Sequence, residues 1–132
     1  VASRNFLISS DGRVVICDFG MSRHLAQGQA ARSCSGEPLP IKWCAPETLA
    51  SDSMSFESDI YAFAVYLAEV IALAEPYLAS FSTDDDSLMK IAFEVQRTDK
   101  PLRPKIPGYC PLEVARLMED CWAPNPARRP TA

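Results

Sequence analysis

The chain has 132 residues, 13 of them Lys or Arg and 17 Asp or Glu, so its formal net charge is −4. This acidic balance argues against a general nucleic-acid-binding surface, and a hydrophobic content of 48% is typical of a globular domain with its own core. The longest apolar stretch, residues 60–74, contains Glu69 and is shorter than the roughly 20 residues of a membrane-spanning helix, so no membrane contact is expected.

The five cysteines do not form a recognisable metal or disulfide pattern. Their number is odd and no Cys-x-x-Cys pair occurs, which predicts a reducing, intracellular compartment. The chain starts at Val1 without an initiator Met or a signal-like segment, so its beginning is interpreted as a cut edge.

The first predicted element is a β-hairpin. Residues 6–8 and 14–17 are short runs of strand-forming residues, and Asp11-Gly12 between them is a turn signal. If the turn is centred on Asp11-Gly12, Asn5 lies opposite Asp18. An amide oxygen and a carboxylate at one end of a hairpin are ligands that Mg²⁺ accepts beside phosphate and water. Taken alone, the hairpin is equally consistent with an ordinary Asx turn.

Residues 21–39 are polar and aperiodic, which predicts a long functional loop. Residues 46–50 form a predicted helical turn that starts with proline. Residues 59–73 are apolar on almost every face, so we predict a buried central helix capped by Ser58.

Two further helices are predicted in the second half. Residues 84–86 are three aspartates that are expected to cap a helix rather than to bind a metal. The apolar positions of that helix are Leu88, Ile91, Ala92 and Val95. Residues 98–111 contain four prolines and are predicted to be irregular. A last helix starts at Leu112, and residues 123–132 are predicted to be loop.

Short motifs follow one another along nearly the whole chain. In order they are Arg4-Asn5, Asp18-Phe19-Gly20, Pro40-Ile41-Lys42-Trp43, Ala45-Pro46-Glu47, Ser58-Asp59-Ile60-Tyr61, Pro76-Tyr77, Arg103-Pro104, Cys110-Pro111, Cys121-Trp122 and Arg129-Pro130. This set resembles the eukaryotic protein kinase catalytic domain, and most closely its tyrosine kinase branch.

The resemblance implies an α+β fold, the mainly α-helical large C-terminal lobe of a kinase with a short β-hairpin at the Mg site and no N-terminal lobe. Residues 1–132 would be a partial domain that runs from just after the catalytic-loop Asp to just before the last large helix. The activation segment would be 18–47. The catalytic base, five residues before Asn5, would lie one position before Val1.

The resemblance also implies roles in nucleotide binding. Asn5 and Asp18 would bind Mg²⁺ beside ATP, and Arg4 would belong to the catalytic loop. Leu7 would lie under the adenine and Cys17 would face the nucleotide pocket. An ordinary core position for Leu7 and a buried, inert thiol for Cys17 are the alternatives.

Structural roles are implied for a second set. Glu47 and Arg129 would form a buried ion pair. Asp59 would accept backbone N–H bonds from the catalytic loop. Phe19 would join an apolar column on the central helix, or be an ordinary core residue, and Gly20 would give the Asp-Phe-Gly turn its freedom.

The acceptor is expected to be tyrosine in protein substrates. Ala2 and Arg4 stand where tyrosine kinases carry a small residue and an arginine, and Pro40 with Lys42 and Trp43 resembles the shelf on which a tyrosyl ring packs. The function implied is transfer of the ATP γ-phosphoryl group to protein tyrosine. A serine/threonine or dual-specificity kinase and a catalytically dead, kinase-like scaffold remain alternatives. The 132 residues alone are expected to be inactive.

The activation loop departs from the family pattern. Ala31 occupies the usual position of its tyrosine, and Ser33 and Ser35 are the nearby hydroxyls, so either these serines carry a regulatory phosphate or the loop is active without one.

Overall fold

The computed structural model describes residues 2–20, 22, 24, 31–32, 39–78, 80–81 and 84–132. The strands are β1 (Phe6–Ile8), β2 (Val14–Ile16), β3 (Ala31–Arg32) and β4 (Ser53–Met54). The helices are α1 (Pro46–Ser51), α2 (Phe56–Ala72), α3 (Asp85–Val95) and α4 (Leu112–Cys121). Short 3₁₀ turns cover Ser3–Asn5, Ile41–Trp43 and Pro126–Arg128. The described part of the chain is therefore rich in helix, with two small antiparallel strand pairs.

The hairpin of β1 and β2 forms where it is predicted, but its register differs by one residue. Phe6 pairs with Ile16, and the N–H of Cys17 donates to the carbonyl of Asn5 at 2.8 Å. Asn5 thus lies opposite Cys17, and the prediction that it lies opposite Asp18 is wrong.

The physical reason for this shift is the length of the hairpin loop. Gly12 adopts a left-handed conformation with φ 81°, and its N–H donates to the Ser9 carbonyl at 2.9 Å. Ser9 in turn pairs with Arg13, since its N–H donates to the Arg13 carbonyl at 2.9 Å. The loop therefore has three residues and ends in a left-handed glycine, instead of the predicted two residues centred on Asp11-Gly12.

Helix α2 is the predicted central helix and starts three residues earlier than expected. Its N-cap is Ser55, so the prediction of Ser58 as the cap is wrong. Ser55 Oγ accepts a hydrogen bond from Ser58 N at 3.2 Å, while Ser58 Oγ accepts one from Ser55 N at 2.9 Å. Each hydroxyl satisfies a backbone donor that the first turn would leave unpaired, and this reciprocal arrangement fixes where the helix begins.

The core lies where α2 packs against α4 and where α3 packs against the turn Ile41–Trp43. Its largest fully buried side chains are Tyr61, Val65, Ile91, Val95 and Met118. The predicted helices in the second half are confirmed, and Asp84 caps α3 by accepting from Ser87 N at 2.8 Å. Residues 98–107 are irregular as predicted.

One part of the predicted long loop is a strand. Ala31 pairs with Met54, and Arg32 pairs with Ser53. Isolated strands of two residues have no periodicity that a sequence could reveal, which is why the loop was predicted without them. Ser33 and Ser35, the expected regulatory positions, lie outside the described residues.

The described helices include none that is both long enough and apolar enough to span a bilayer.

Candidate active site

Backbone hydrogen bonds hold Asn5 next to the segment that carries Asp18. Asn5 closes the turn Ser3–Asn5 by donating its N–H to the Ala2 carbonyl at 2.9 Å, and its own carbonyl accepts from Cys17. Ala2 is buried in the core, which anchors this turn. These bonds hold the backbone of Asn5 opposite Cys17, which directly precedes Asp18.

Asp18 leaves the strand through an unusual backbone conformation. Its φ is 61°, in the left-handed region that non-glycine residues rarely occupy. Its carboxylate accepts from the N–H of Gly20 at 3.4 Å, and an added Cβ on Gly20 would meet that oxygen at 3.4 Å. Strained backbone of this kind is found preferentially at functional sites.

The oxygen atoms of this corner suit a hard cation. Asn5 offers an amide oxygen and Asp18 a carboxylate, whereas no three His, Cys, Asp or Glu side chains of the described residues cluster into a metal site. Mg²⁺ is commonly held by one or two carboxylates, with phosphate oxygens and water completing its shell. The residues present therefore fit a metal that arrives with a phosphorylated ligand.

The apolar residues of the corner are accessible. Leu7 is 57% exposed and Cys17 is a half-buried, free thiol. Phe19 is 67% exposed, so the expected packing of its ring on the central helix is wrong for this structure. The left-handed turn at Asp18 redirects the chain immediately before Phe19, and none of the core residues covers the ring.

The turn Ile41–Trp43 follows Pro40 and is largely buried. Trp43 is 6% exposed, and the guanidinium of Arg4 lies 5.1 Å from the centre of its ring. Lys42 is also buried, with Nζ 3.1 Å from Glu75 Oε1 in an ion pair that lacks hydrogen-bond geometry. Of the three residues predicted to bind the acceptor, Pro40, Lys42 and Trp43, Pro40 alone is not fully buried.

Glu69 links these two regions, although the sequence motifs predict no role for it. Its carboxylate accepts from Ser3 N at 3.1 Å, from Ser3 Oγ at 2.5 Å and from Trp43 Nε1 at 3.0 Å. A signal for it was present, since Glu69 is the single charged residue of 60–74. A carboxylate in an otherwise apolar helix segment needs donors to compensate for its lost hydration.

Asp59 lies in the first turn of α2 with its side chain on the surface. Desolvation by the protein atoms packed around the carboxyl group raises its pKa above the ordinary value. The Asp59 side chain is thus reached by solvent, while neighbouring protein atoms still exclude part of the water around its carboxyl group. That Asp59 accepts backbone N–H bonds from the catalytic loop stays a prediction.

Glu47 and Arg129 form a bidentate ion pair. Arg129 Nη1 donates to Glu47 Oε1 at 2.6 Å and Nη2 donates to Oε2 at 2.8 Å. The same guanidinium donates to the carbonyls of Glu57 at 2.8 Å and Ala123 at 3.0 Å, and lies 5.1 Å from the centre of the Tyr61 ring. This residue therefore ties the start of α1 to α2 and to the end of the chain.

Comparisons with known proteins agree with the family resemblance of the sequence motifs. The whole chain, residues 1–132, matches the family described as protein tyrosine and serine/threonine kinase. It is 34% identical over 131 residues to the tyrosine-protein kinase transforming protein Fps of avian sarcoma virus (strain PRCII), covering 99% of this chain and 23% of that protein.

Two cellular proteins are equally similar. The insulin receptor-related protein of Homo sapiens is 34% identical over 131 residues, and fibroblast growth factor receptor 1 of Pleurodeles waltl is 34% identical over 132 residues. Each match covers 99% of this chain, but 10% and 15% of those relatives. The chain thus spans less than a quarter of the relatives named here, and it belongs to the protein tyrosine and serine/threonine kinase family.

Proposed function

We propose that these residues form part of the large C-terminal lobe of a protein tyrosine kinase. In the full-length protein, this kinase would transfer the γ-phosphoryl group of ATP to tyrosine side chains of proteins. The observation that carries the proposal is the junction at Asn5, whose backbone is bonded to Cys17 directly before the left-handed Asp18. The family and the names of the relatives support the same activity.

The nucleotide side of the site is assigned to the hairpin. Mg-ATP, when bound, supplies the phosphoryl group and the positive charge that offsets the negative charge of the phosphates. The Asn5 amide oxygen and the Asp18 carboxylate would hold the metal. Leu7 offers an exposed apolar side chain for the flat face of the adenine, and half-buried Cys17 would face the nucleotide.

The acceptor side is assigned to the segment from Pro40 to Trp43 and to Arg4. Pro40 gives a rigid, partly accessible surface for an aromatic ring, and the Arg4 guanidinium lies 5.1 Å from the centre of the buried Trp43 ring. Ala2 and Arg4 favour tyrosine over serine or threonine, because they occupy the positions where the two branches of the family differ. Protein substrates with tyrosine acceptors are therefore the proposed partners.

The remaining assignments follow from the same proposal. A catalytic base would precede Val1, so the 132 residues alone would not transfer phosphate. All four cysteines in the described part of the chain are free thiols, which fits an intracellular compartment. Ser33 and Ser35 are the proposed regulatory hydroxyls.

A scaffold without catalysis is the second candidate function. The exposed apolar side chains of the hairpin favour it, since such a surface suits protein contacts as well as nucleotide binding. The residue before Val1 in the full-length coding sequence discriminates: an Asp supports catalysis and a substituted residue supports the scaffold.

The proposed reaction is tested by substituting Asp18→Asn in the full-length protein. We expect tyrosine phosphorylation of a peptide array to fall about 100-fold or more, because the carboxylate that would hold the metal is lost. Asp120→Asn, at an exposed position in α4, is the matched control and should keep wild-type activity. Phosphate on serine and threonine alone would reject the tyrosine assignment, and an inactive wild-type protein would favour the scaffold.

A further inference from the structure

The carboxylate of Glu69 joins the two halves of the candidate active site. Its Oε1 accepts the Ser3 hydroxyl, and its Oε2 accepts both the Ser3 backbone N–H and the Trp43 indole N–H. Ser3 belongs to the turn that ends at Asn5, on the metal side. Trp43 ends the turn that follows Pro40, on the acceptor side. One side chain of α2 therefore holds both segments.

Arg4 makes a second contact between the turn Ser3–Asn5 and Trp43. Its guanidinium lies 5.1 Å from the centre of the Trp43 ring, so the turn Ser3–Asn5 reaches the indole both through Glu69 and through a cation–π contact. Trp43 and Ala2 are buried, which limits how far either segment can move without disturbing the core. The distance between the metal side and the acceptor side thus depends on this connection.

We propose that Glu69 is a positioning residue that sets the tyrosine acceptor shelf relative to the metal-binding turn, with the Ser3 hydroxyl as its partner. This inference rests on the proposed kinase function and adds a role for residues that neither the family description nor the names of the relatives mention. Glu69 does not touch substrate in this assignment. It acts through Ser3 and Trp43, and through Trp43 on Arg4.

The chemistry of the three donors makes the proposal specific. Each partner of Glu69 presents a hydrogen, so the site requires two acceptor oxygens, which a carboxylate supplies. Glu69→Gln keeps the shape but removes the negative charge: its amide oxygen can still accept from Ser3 N and Trp43 Nε1, and its NH₂ group can meet the Ser3 hydroxyl as an acceptor, so three charge-assisted hydrogen bonds become weaker neutral ones. Ser3→Ala removes one bond and leaves the other two in place, so it should act in the same direction with a smaller effect.

The experiment uses the full-length protein with ATP and a tyrosine-containing peptide. We expect Glu69→Gln to lower kcat/KM for the peptide by about ten- to a hundredfold, since small displacements of reacting groups have effects of this size. The KM for ATP should stay within about twofold, because the nucleotide contacts are not part of this connection. Adding Ser3→Ala to Glu69→Gln should have a smaller effect than Ser3→Ala has alone, because both substitutions act on the same hydrogen bond.

Matched measurements separate positioning from a loss of folded protein. A loss of folded protein would lower the apparent kcat and leave the KM values for ATP and for the peptide unchanged. The proposal instead requires kcat/KM for the peptide to fall while the KM for ATP stays the same. Glu119→Gln, an exposed glutamate in α4, is the control and should match the wild type. If Glu69→Gln fails to fold, Ser3→Ala still tests the idea through its KM for the peptide.

The outcomes for the two proposals are distinct. A wild-type protein that phosphorylates tyrosine, with Glu69→Gln and Ser3→Ala kinetically identical to it, overturns the positioning role and leaves the kinase function standing. A wild-type protein without phosphotransfer to tyrosine overturns both. Additive effects of the two substitutions would also contradict the proposed pairing.

Discussion

Arg129 shows how a single residue can connect distant parts of the chain. It lies 82 positions from Glu47, and its guanidinium satisfies that carboxylate and two backbone carbonyls at once. The arginine side chain is fully buried, while 25% of the Glu47 side chain is exposed. The ion pair was expected from the family resemblance, but its carbonyl partners were not, because no sequence pattern marks which backbone groups lack a partner.

Replacing Arg129 by alanine should therefore destabilise the fold. We expect Arg129→Ala to lower the free energy of unfolding by about 3 to 5 kcal/mol, because the Glu47 charge would be left partly buried without its partner. Urea unfolding followed by tryptophan fluorescence measures this directly. Arg128→Ala, one residue earlier and exposed, is the control and should change stability by less than about 0.5 kcal/mol. A midpoint for Arg129→Ala equal to that of the control would contradict the structural role.

The thiol of Cys44 is expected to be protected by burial. Desolvation raises its pKa to about 12, and Sγ lies 3.4 Å from the Pro40 carbonyl. Because the pKa of Cys44 is higher in the folded than in the unfolded state, the neutral thiol makes its full contribution to the free energy of unfolding below about pH 9. This contribution is lost as the pH rises towards 12. At pH 8.5 we expect alkylation of Cys44 to be at least about 100-fold slower than that of half-buried Cys110, since the thiolate is the reactive form. Intact-mass and peptide mapping over time measures both rates, and equal rates would refute the prediction.

At the scale of elements, sequence patterns predicted which segments form helices and strands better than they predicted how these segments begin or pair. Apolar periodicity identified α3 and α4, because burial of one face leaves a regular pattern. The hairpin register depended on whether Gly12 ends a three-residue loop, and the start of α2 depended on which of two serines caps it. In each case the same residues are compatible with either arrangement, and the hydrogen bonds of the folded chain decide which one forms.

The left-handed conformation of Gly12 can be tested with alanine. An added Cβ at Gly12 meets no atom within 4 Å, so the cost of Gly12→Ala comes from its φ of 81° alone. We expect a loss of about 1 to 2 kcal/mol in the stability of the hairpin, measured by hydrogen exchange of the amides of β1 and β2. Gly108→Ala is the control, because that glycine also has open space but an ordinary φ. Equal effects of the two substitutions would show that Gly12 does not need its left-handed conformation.

The candidate site was also predicted unevenly. Roles for Asn5, Asp18 and Pro40 were predicted from their motifs through the resemblance to the family, and these roles stay predictions. The link through Glu69 was missed because its partners lie 26 and 66 residues away in the sequence. A carboxylate in an apolar helix indicates that donors must exist, but only packing shows which donors they are.

For the molecule as a whole, burial is unevenly distributed. The core joins α2, α3, α4 and the turn Ile41–Trp43, whereas the hairpin contributes a set of exposed apolar side chains. These are Leu7, Ile8, Val14, Val15, Ile16 and Phe19. An exposed apolar surface of this kind is available for contact with a second chain.

The isolated 132-residue chain should therefore self-associate through the hairpin. We expect the double substitution Ile8→Lys and Val14→Glu to weaken this association at least about tenfold, because it removes two exposed aliphatic side chains from the contact. The two positions are cross-strand partners, so the new charges favour the hairpin and leave the net charge at −4. Sedimentation velocity over a range of concentrations measures the effect. Leu73→Lys with Leu78→Glu, also exposed and charge-neutral, is the control. If the control weakens association as strongly, the contact surface is not the hairpin.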